Sequence, residues 1–148
     1  YAYILFELIN KVGVFTYKDT DKGPEFELIQ LVEPLSDQLD PMHDCGAAMT
    51  ISPDGKYLFT STAGDDSVAM FSIDQEEGTL TKEFALPISG EYPKDIALFP
   101  DGKHLASINH EGSISFFKID YEKGLLVMSD RSITVNEPNC CEIVKIGD

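Results

Sequence analysis

Ile51-Ser52-Pro53-Asp54-Gly55-Lys56-Tyr57-Leu58-Phe59 returns later in the chain as Leu98-Phe99-Pro100-Asp101-Gly102-Lys103-His104-Leu105. Each copy is an apolar residue, a Pro-Asp-Gly-Lys turn and a fresh apolar alternation. Proline presets φ and glycine supplies the positive φ that closes a tight turn, so each copy reads as strand, turn, strand. The likeness continues beyond the turn. Phe71-Ser72-Ile73-Asp74 is echoed by Phe117-Lys118-Ile119-Asp120, and Gly78-Thr79-Leu80 by Gly124-Leu125-Leu126. Pro53 and Pro100 are 47 residues apart, Phe71 and Phe117 are 46 apart. A repeat of this length, with four strand-sized pieces and no helical period, is the signature of a β-propeller blade.

Outward from these two copies, the same pattern organises the rest. A shorter copy opens the chain with Tyr3-Ile4-Leu5, Val12-Gly13-Val14-Phe15, a turn at Lys22-Gly23 and Phe26-Glu27-Leu28-Ile29. It enters directly on what is a second strand in the other copies. The expected organisation is all-β, with blade pieces over residues 1–35, 46–88 and 93–133 and a closing strand over 139–146. That makes about three blades, whereas closed propellers have about four to eight. The expectation is therefore part of a larger ring, its C-terminal portion. The open sides of the end blades are expected to pair with absent blades or with other copies. The longest irregular stretch, residues 33–46, carries prolines, acids, His43 and Cys45, and reads as a long connection on one face.

The 148 residues hold 11 Lys and Arg against 26 Asp and Glu, a formal charge of −15. Phosphate-backbone binding depends on clustered Lys and Arg, so no nucleic acid and no anionic membrane surface is expected as partner. No apolar run is long enough for a spanning helix. Cys45, Cys140 and Cys141 are an odd set with an adjacent pair. Such a set is a poor disulfide framework and favours a reducing compartment.

No zinc spacing, phosphate loop, dinucleotide fingerprint or Gly-x-Ser-x-Gly elbow is present, so neither a metal nor a cofactor is expected. Asp54, Asp101, Asp74 and Asp120 recur once per blade, which marks them as turn-formers. His104 falls inside a strand; His43 and His110 fall in loops. Positions that differ between copies are more informative, because a structural reason for them is weaker. Glu7 stands at a strand end where the other copies carry Ala63 and Asn109, and Lys94-Asp95 precedes an inner strand.

Tyr3-Ile4-Leu5-Phe6-Glu7-Leu8, Ile51 through Lys56, Asp66 through Asp74 and Tyr92 through Leu98 together resemble the seven-bladed propeller lactonases, which include bacterial 6-phosphogluconolactonase and the fungal carboxymuconate cyclases. The resemblance covers essentially the whole chain. It implies a cytoplasmic enzyme acting on a small anionic sugar lactone such as 6-phosphogluconolactone. Carried over residue by residue, it places the family's strand-end Asn-Glu at Phe6-Glu7 and its His before the turn at Thr50. The family's Asn-Arg falls at Thr62-Ala63, and its Arg-Asn at Lys94-Asp95. Glu7 is thus the candidate catalytic base, with Lys94, Asp95, Thr50 and Thr62 as candidate substrate-binding residues. Lysine at 94 keeps the charge but not the bidentate fork of arginine. Two other readings stand beside hydrolysis: a non-catalytic propeller that binds a ligand or protein, and a carboxymuconate cyclase-like isomerase.

The repetition also sets an expectation about place. Glu7, Thr50, Ala63 and Lys94 occupy matching positions in their blades, so radial repetition brings them towards one mouth of the central channel.

Overall fold

In a computed structural model of the chain, which describes residues 1–35, 40 and 42–147, the repeated turns form as their residues require. Gly55 N–H donates to Ser52 O (2.8 Å) and Ser52 N–H to Tyr57 O (2.8 Å). Asp54 Oδ1 accepts from the Lys56 N–H (3.1 Å) and the Ser52 hydroxyl (2.6 Å). In the second copy Gly102 N–H donates to Phe99 O, and Asp101 Oδ1 accepts from Lys103 N–H (2.8 Å). Gly55 and Gly102 adopt φ of 73° and 64°, the left-handed values that make glycine the residue of choice there. His104 Nδ1 lies 2.7 Å from Asp101 Oδ2, so this histidine braces its own turn.

Among the described residues, eleven strands make three antiparallel sheets. The first holds β1 (Ala2–Phe6), β2 (Lys11–Thr20) and β3 (Gly23–Val32) in that order. The second runs β4 (Cys45–Ile51), β5 (Tyr57–Ala63), β6 (Ser67–Ile73) and β7 (Leu80–Pro87), each paired with the next. The third does the same with β8 (Pro93–Leu98), β9 (His104–Asn109), β10 (Ser113–Asp120) and β11 (Leu125–Thr134). These are the four-stranded units of an all-β propeller, with one sheet of three strands before them. Among the described residues no helix is long and apolar enough to cross a membrane.

The middle sheet is covered on both faces, and residue parity decides which face each side chain serves. Leu58 on β5 with Ala69 and Phe71 on β6 points to the first sheet and packs on Val12, Val14 and Leu80. Their alternates Phe59, Val68 and Met70 point to the third sheet and pack on Ile96, Leu105, Phe117 and Ile119. Two-sided burial is why β6 reads as a nearly continuous apolar run. Hydrogen bonds stitch the first seam. The Tyr3 hydroxyl donates to Gly78 O (2.9 Å), and the Gln30 amide makes both a donated and an accepted bond with the Leu80 backbone. The second seam stacks Tyr57 on Tyr121 with ring centroids 4.5 Å apart.

One expectation needs correction: among the described residues the closing segment 139–146 forms no strand, and the Cys141 N–H goes to the Asp95 side chain rather than to a ladder. The opening strand ends at Phe6, because residues 7–10 fold into a turn with Asn10 at φ 45°. β4 begins at Cys45 and β8 at Pro93, each with irregular register near its start. Part of the long connection over 33–46 lies outside the described residues; within it, His43 is exposed and contacts Asp40 at 2.8 Å.

Candidate functional site

The inner strands β4 and β8 lie side by side, and β1 lies against β4. At the end of β1, the start of β4 and the start of β8, the chain leaves a cleft of about 530 Å³. Its wall includes Glu7, Cys45, Ala63, Tyr92, Lys94 and Asn139. Glu7 and Lys94 are 87 residues apart in the sequence, and the turn of the blades brings both to one opening.

Glu7 is held by its backbone. Its carbonyl accepts from Asn10 N–H (3.3 Å), closing the tight turn, and from Gly46 N–H on β4 (3.1 Å). The second bond ties the first sheet to the inner strand of the second. It needs glycine at 46, since a Cβ there would sit 2.8 Å from the Leu5 side chain. The side chain of Glu7 is thereby left exposed at the cleft. Lys94 follows Pro93 on β8, and its ammonium donates to Asn139 Oδ1 (3.2 Å). Lys94 is the basic side chain of the cleft wall among the described residues, and Glu7 is its acidic one.

Tyr92 lines the same cleft. Its hydroxyl lies 3.8 Å from Cys45 Sγ. The hydrogen bond to Cys45, the charge of that thiol and burial, with a smaller contribution from the Glu7 carboxylate, push the phenol above its ordinary pKa. The phenol therefore stays protonated and able to donate.

The other predicted residues lie elsewhere. Thr50 sits five residues along β4 from Cys45 and pairs with Phe59. It does not line the cleft, although its neighbour Met49 does. Thr62 is 1% exposed, and its hydroxyl faces the seam between the first two sheets, donating to Asn10 Oδ1 (3.4 Å). Asp95 does not line the cleft; its carboxylate accepts the Cys141 N–H (2.7 Å). It fixes the terminal segment that carries Asn139. Burial, followed by the Asp95 charge, raises the Cys141 thiol pKa. Ala63 does reach the cleft, as its place in the repeat requires.

Tyr92, Cys45 and Asn139 did not stand out in the sequence as members of one site. Tyr92 precedes a proline in an ordinary loop pattern, and Cys45 and Asn139 lie in irregular stretches. A larger depression of about 720 Å³ lies over His110, Glu111 and Arg131 on the third sheet. The basic member of its charged pair is already taken, Arg131 Nη2 being bonded to Glu111 Oε1 at 2.7 Å, so the cleft at Glu7 is the stronger candidate. Among the described residues no group of three His, Cys, Asp or Glu is arranged to hold a metal ion.

Comparison with known proteins bears out the fold. The family described as "Lactonase, 7-bladed beta-propeller" matches residues 1–143. The 6-phosphogluconolactonase of Bacillus subtilis (strain 168) is 30% identical over 145 residues, covering 97% of this chain and 41% of that protein. The 6-phosphogluconolactonase of Formosa agariphila is 37% identical over 93 residues, 61% of this chain and 26% of that protein. A crystal structure from Bacteroides fragilis NCTC 9343, provisionally named a 6-phosphogluconolactonase, superposes with a TM-score of 0.82 at 31% identity, over 97% of this chain and 38% of that one. The chain thus spans about two fifths of the length of these relatives, apart from the shorter Formosa match.

Proposed function

The chain belongs to the seven-bladed β-propeller lactonase family, and on that footing we propose that the full-length protein hydrolyses the ring ester of a sugar-acid lactone, 6-phosphogluconolactone being the leading candidate. The observation that carries this reading is the meeting of Glu7 and Lys94 at one cleft on the inner mouth.

Lactone opening asks for a base to activate water, a site for the negative charge that develops on the carbonyl oxygen, and a proton for the departing ring oxygen. In the proposed sequence Glu7 takes a proton from water as the water oxygen bonds to the lactone carbonyl carbon. The tetrahedral oxyanion then collapses, the ring carbon–oxygen bond breaks, and Glu7 returns the proton to the freed alkoxide. The product is the open hydroxy acid. A positioned general base contributes about 10²–10⁴-fold to such a reaction. Lys94 serves as the point charge for an acidic group of the substrate. The chain carries −15 overall, so an anionic substrate needs a local cation at the mouth. The three free cysteines fit a reducing, cytoplasmic setting.

A second reading draws support from Ala63. The resemblance places an arginine there, and the chain offers a methyl group on the cleft wall. That favours a propeller that binds its ligand without turning it over. One experiment separates the two: the full-length protein is assayed for acid release from glucono-1,5-lactone and from its 6-phosphate, above the spontaneous rate. Turnover of either supports hydrolysis. Saturable binding of the lactone with no release above background supports the second reading and refutes the first.

A further inference from the structure

Tyr92 holds a backbone conformation that aromatic residues seldom adopt, with φ at 58°. Three contacts hold it there. Its N–H donates to Asp66 Oδ1 (2.6 Å), its carbonyl accepts from His110 N–H (3.0 Å), and its ring packs on the His110 ring with centroids 5.8 Å apart. Asp66 is itself left-handed, at φ 49°, and is pinned through its carbonyl by Ile88 N–H (2.8 Å). Two unfavourable backbone geometries are thus locked to one another across the β5–β6 turn and the loop before β8. Such geometries persist where surrounding structure over-determines them, and they cluster at functional sites.

The lock aims the phenol at the cleft. A tyrosine needed only for packing would face a seam, as Tyr57 and Tyr121 do; 41% of Tyr92 is exposed, and its hydroxyl stands beside Cys45 within the electrostatic reach of Glu7. The thiol is a weak hydrogen-bond partner, which a substrate oxygen can displace. We propose that Tyr92 is a substrate-contacting residue of this cleft, donating its phenolic hydrogen to the lactone carbonyl oxygen as negative charge gathers there, with Asp66 as its positioning residue. The proposal rests on the hydrolytic reading and supplies the oxyanion donor that Glu7 and Lys94 leave unassigned. The hydrogen stays on the phenol throughout, so no bond to it is exchanged.

The test uses the full-length protein, glucono-1,5-lactone and the variants Tyr92→Phe, Asp66→Ala and Glu7→Gln. Tyr92→Phe keeps the ring and its packing on His110 and removes one hydroxyl. Loss of a single oxyanion donor lowers kcat by about 10²–10³ in well-studied cases. The expected result is a fall in kcat of at least about tenfold with KM changed by less than about threefold and an unaltered melting temperature. Asp66→Ala is expected to lower kcat in wild type and to add little in the Tyr92→Phe background. Values of kcat and KM within about twofold of wild type for Tyr92→Phe, alongside an inactive Glu7→Gln, would overturn the assignment and leave the hydrolytic reading standing. If wild type opens no lactone, the hydrolytic reading fails separately, and Tyr92 is decided by its ring-carbon NMR signal on titration with gluconate. A saturable shift, absent in Tyr92→Phe, supports ligand contact; an unmoved signal refutes it.

Discussion

Gln30 offers a sharp test of how the blades are joined. It stands on β3, at the outer edge of the first sheet, yet both bonds of its side-chain amide go to the next sheet. Nε2 donates to Leu80 O (2.9 Å), and Oε1 accepts from Leu80 N–H (2.7 Å). One side chain thus does what a neighbouring strand does in a ladder, and Leu80 is only 3% exposed. In Gln30→Met the side chain keeps its length and loses both bonds. Each net hydrogen bond is worth about 0.5–1.5 kcal/mol, and a buried donor or acceptor left without a partner costs about 1–3 kcal/mol. Added packing by Met offsets part of this, so the expected loss is about 2–4 kcal/mol. With a urea slope of about 2 kcal/mol/M, the unfolding midpoint falls by about 1–2 M at constant slope. Gln30→Glu refines the test. Its carboxylate still accepts from Leu80 N–H but opposes the Leu80 carbonyl, which raises the folded pKa above the ordinary glutamate value. A raised folded pKa means stability present below about 4.3 and lost as pH rises through the folded value. Gln30→Glu should therefore be clearly weakened at neutral pH and recover towards wild type near pH 4. A Gln30→Met variant within about 0.5 kcal/mol of wild type, or a Gln30→Glu deficit that does not shrink on acidification, would refute the clamp.

Other outcomes follow from the same contacts. Gly46→Ala places a Cβ 2.8 Å from Leu5 and should cost about 1–3 kcal/mol by overpacking, read as a lowered denaturant midpoint, with a larger loss of lactone turnover as Glu7 shifts. The Ser52 hydroxyl and Lys56 N–H hold the Asp54 carboxyl below its usual pKa, and the Lys103 N–H does so for Asp101. Depressed folded values contribute stability above about pH 3.9 that disappears as pH falls through them; the stability curve should drop between pH 4 and 2, and Asp54→Asn should flatten it. The outer face of the first sheet exposes Tyr17, Phe26, Leu28 and Leu31, so the isolated 148-residue chain should self-associate in sedimentation velocity and Phe26→Lys with Leu28→Lys should reverse it; a monomer at every concentration would contradict this.

Much of the architecture could be read from one nine-residue stretch, because Pro-Asp-Gly-Lys fixes a turn by local chemistry and its recurrence fixes the period. The same logic carried Glu7, Ala63 and Lys94 to one cleft, since strand ends repeat radially. Thr50, Thr62 and Asp95 lie off its wall. A one-residue step reverses a side chain's face, which turns Thr62 into the seam while Ala63 reaches the cleft; at Asp95 a register shift breaks the alternation, and its carboxylate holds the Cys141 N–H instead. The closing strand expected over 139–146 is not formed among the described residues; a strand forms only where a partner strand accepts its bonds. Tyr92 was illegible for another reason. Its orientation depends on a left-handed backbone held by Asp66 and His110, contacts between residues distant in sequence that no local pattern announces.

The central claim is that the Glu7–Lys94 cleft opens lactones with Glu7 as the base. The most direct measurement is the rate of acid release from 6-phosphogluconolactone by the full-length protein, wild type against Glu7→Gln, with circular dichroism confirming that both fold alike. The account predicts turnover above the spontaneous rate in wild type and a loss of at least about 10²-fold in Glu7→Gln. Equal rates for the two folded proteins would contradict it.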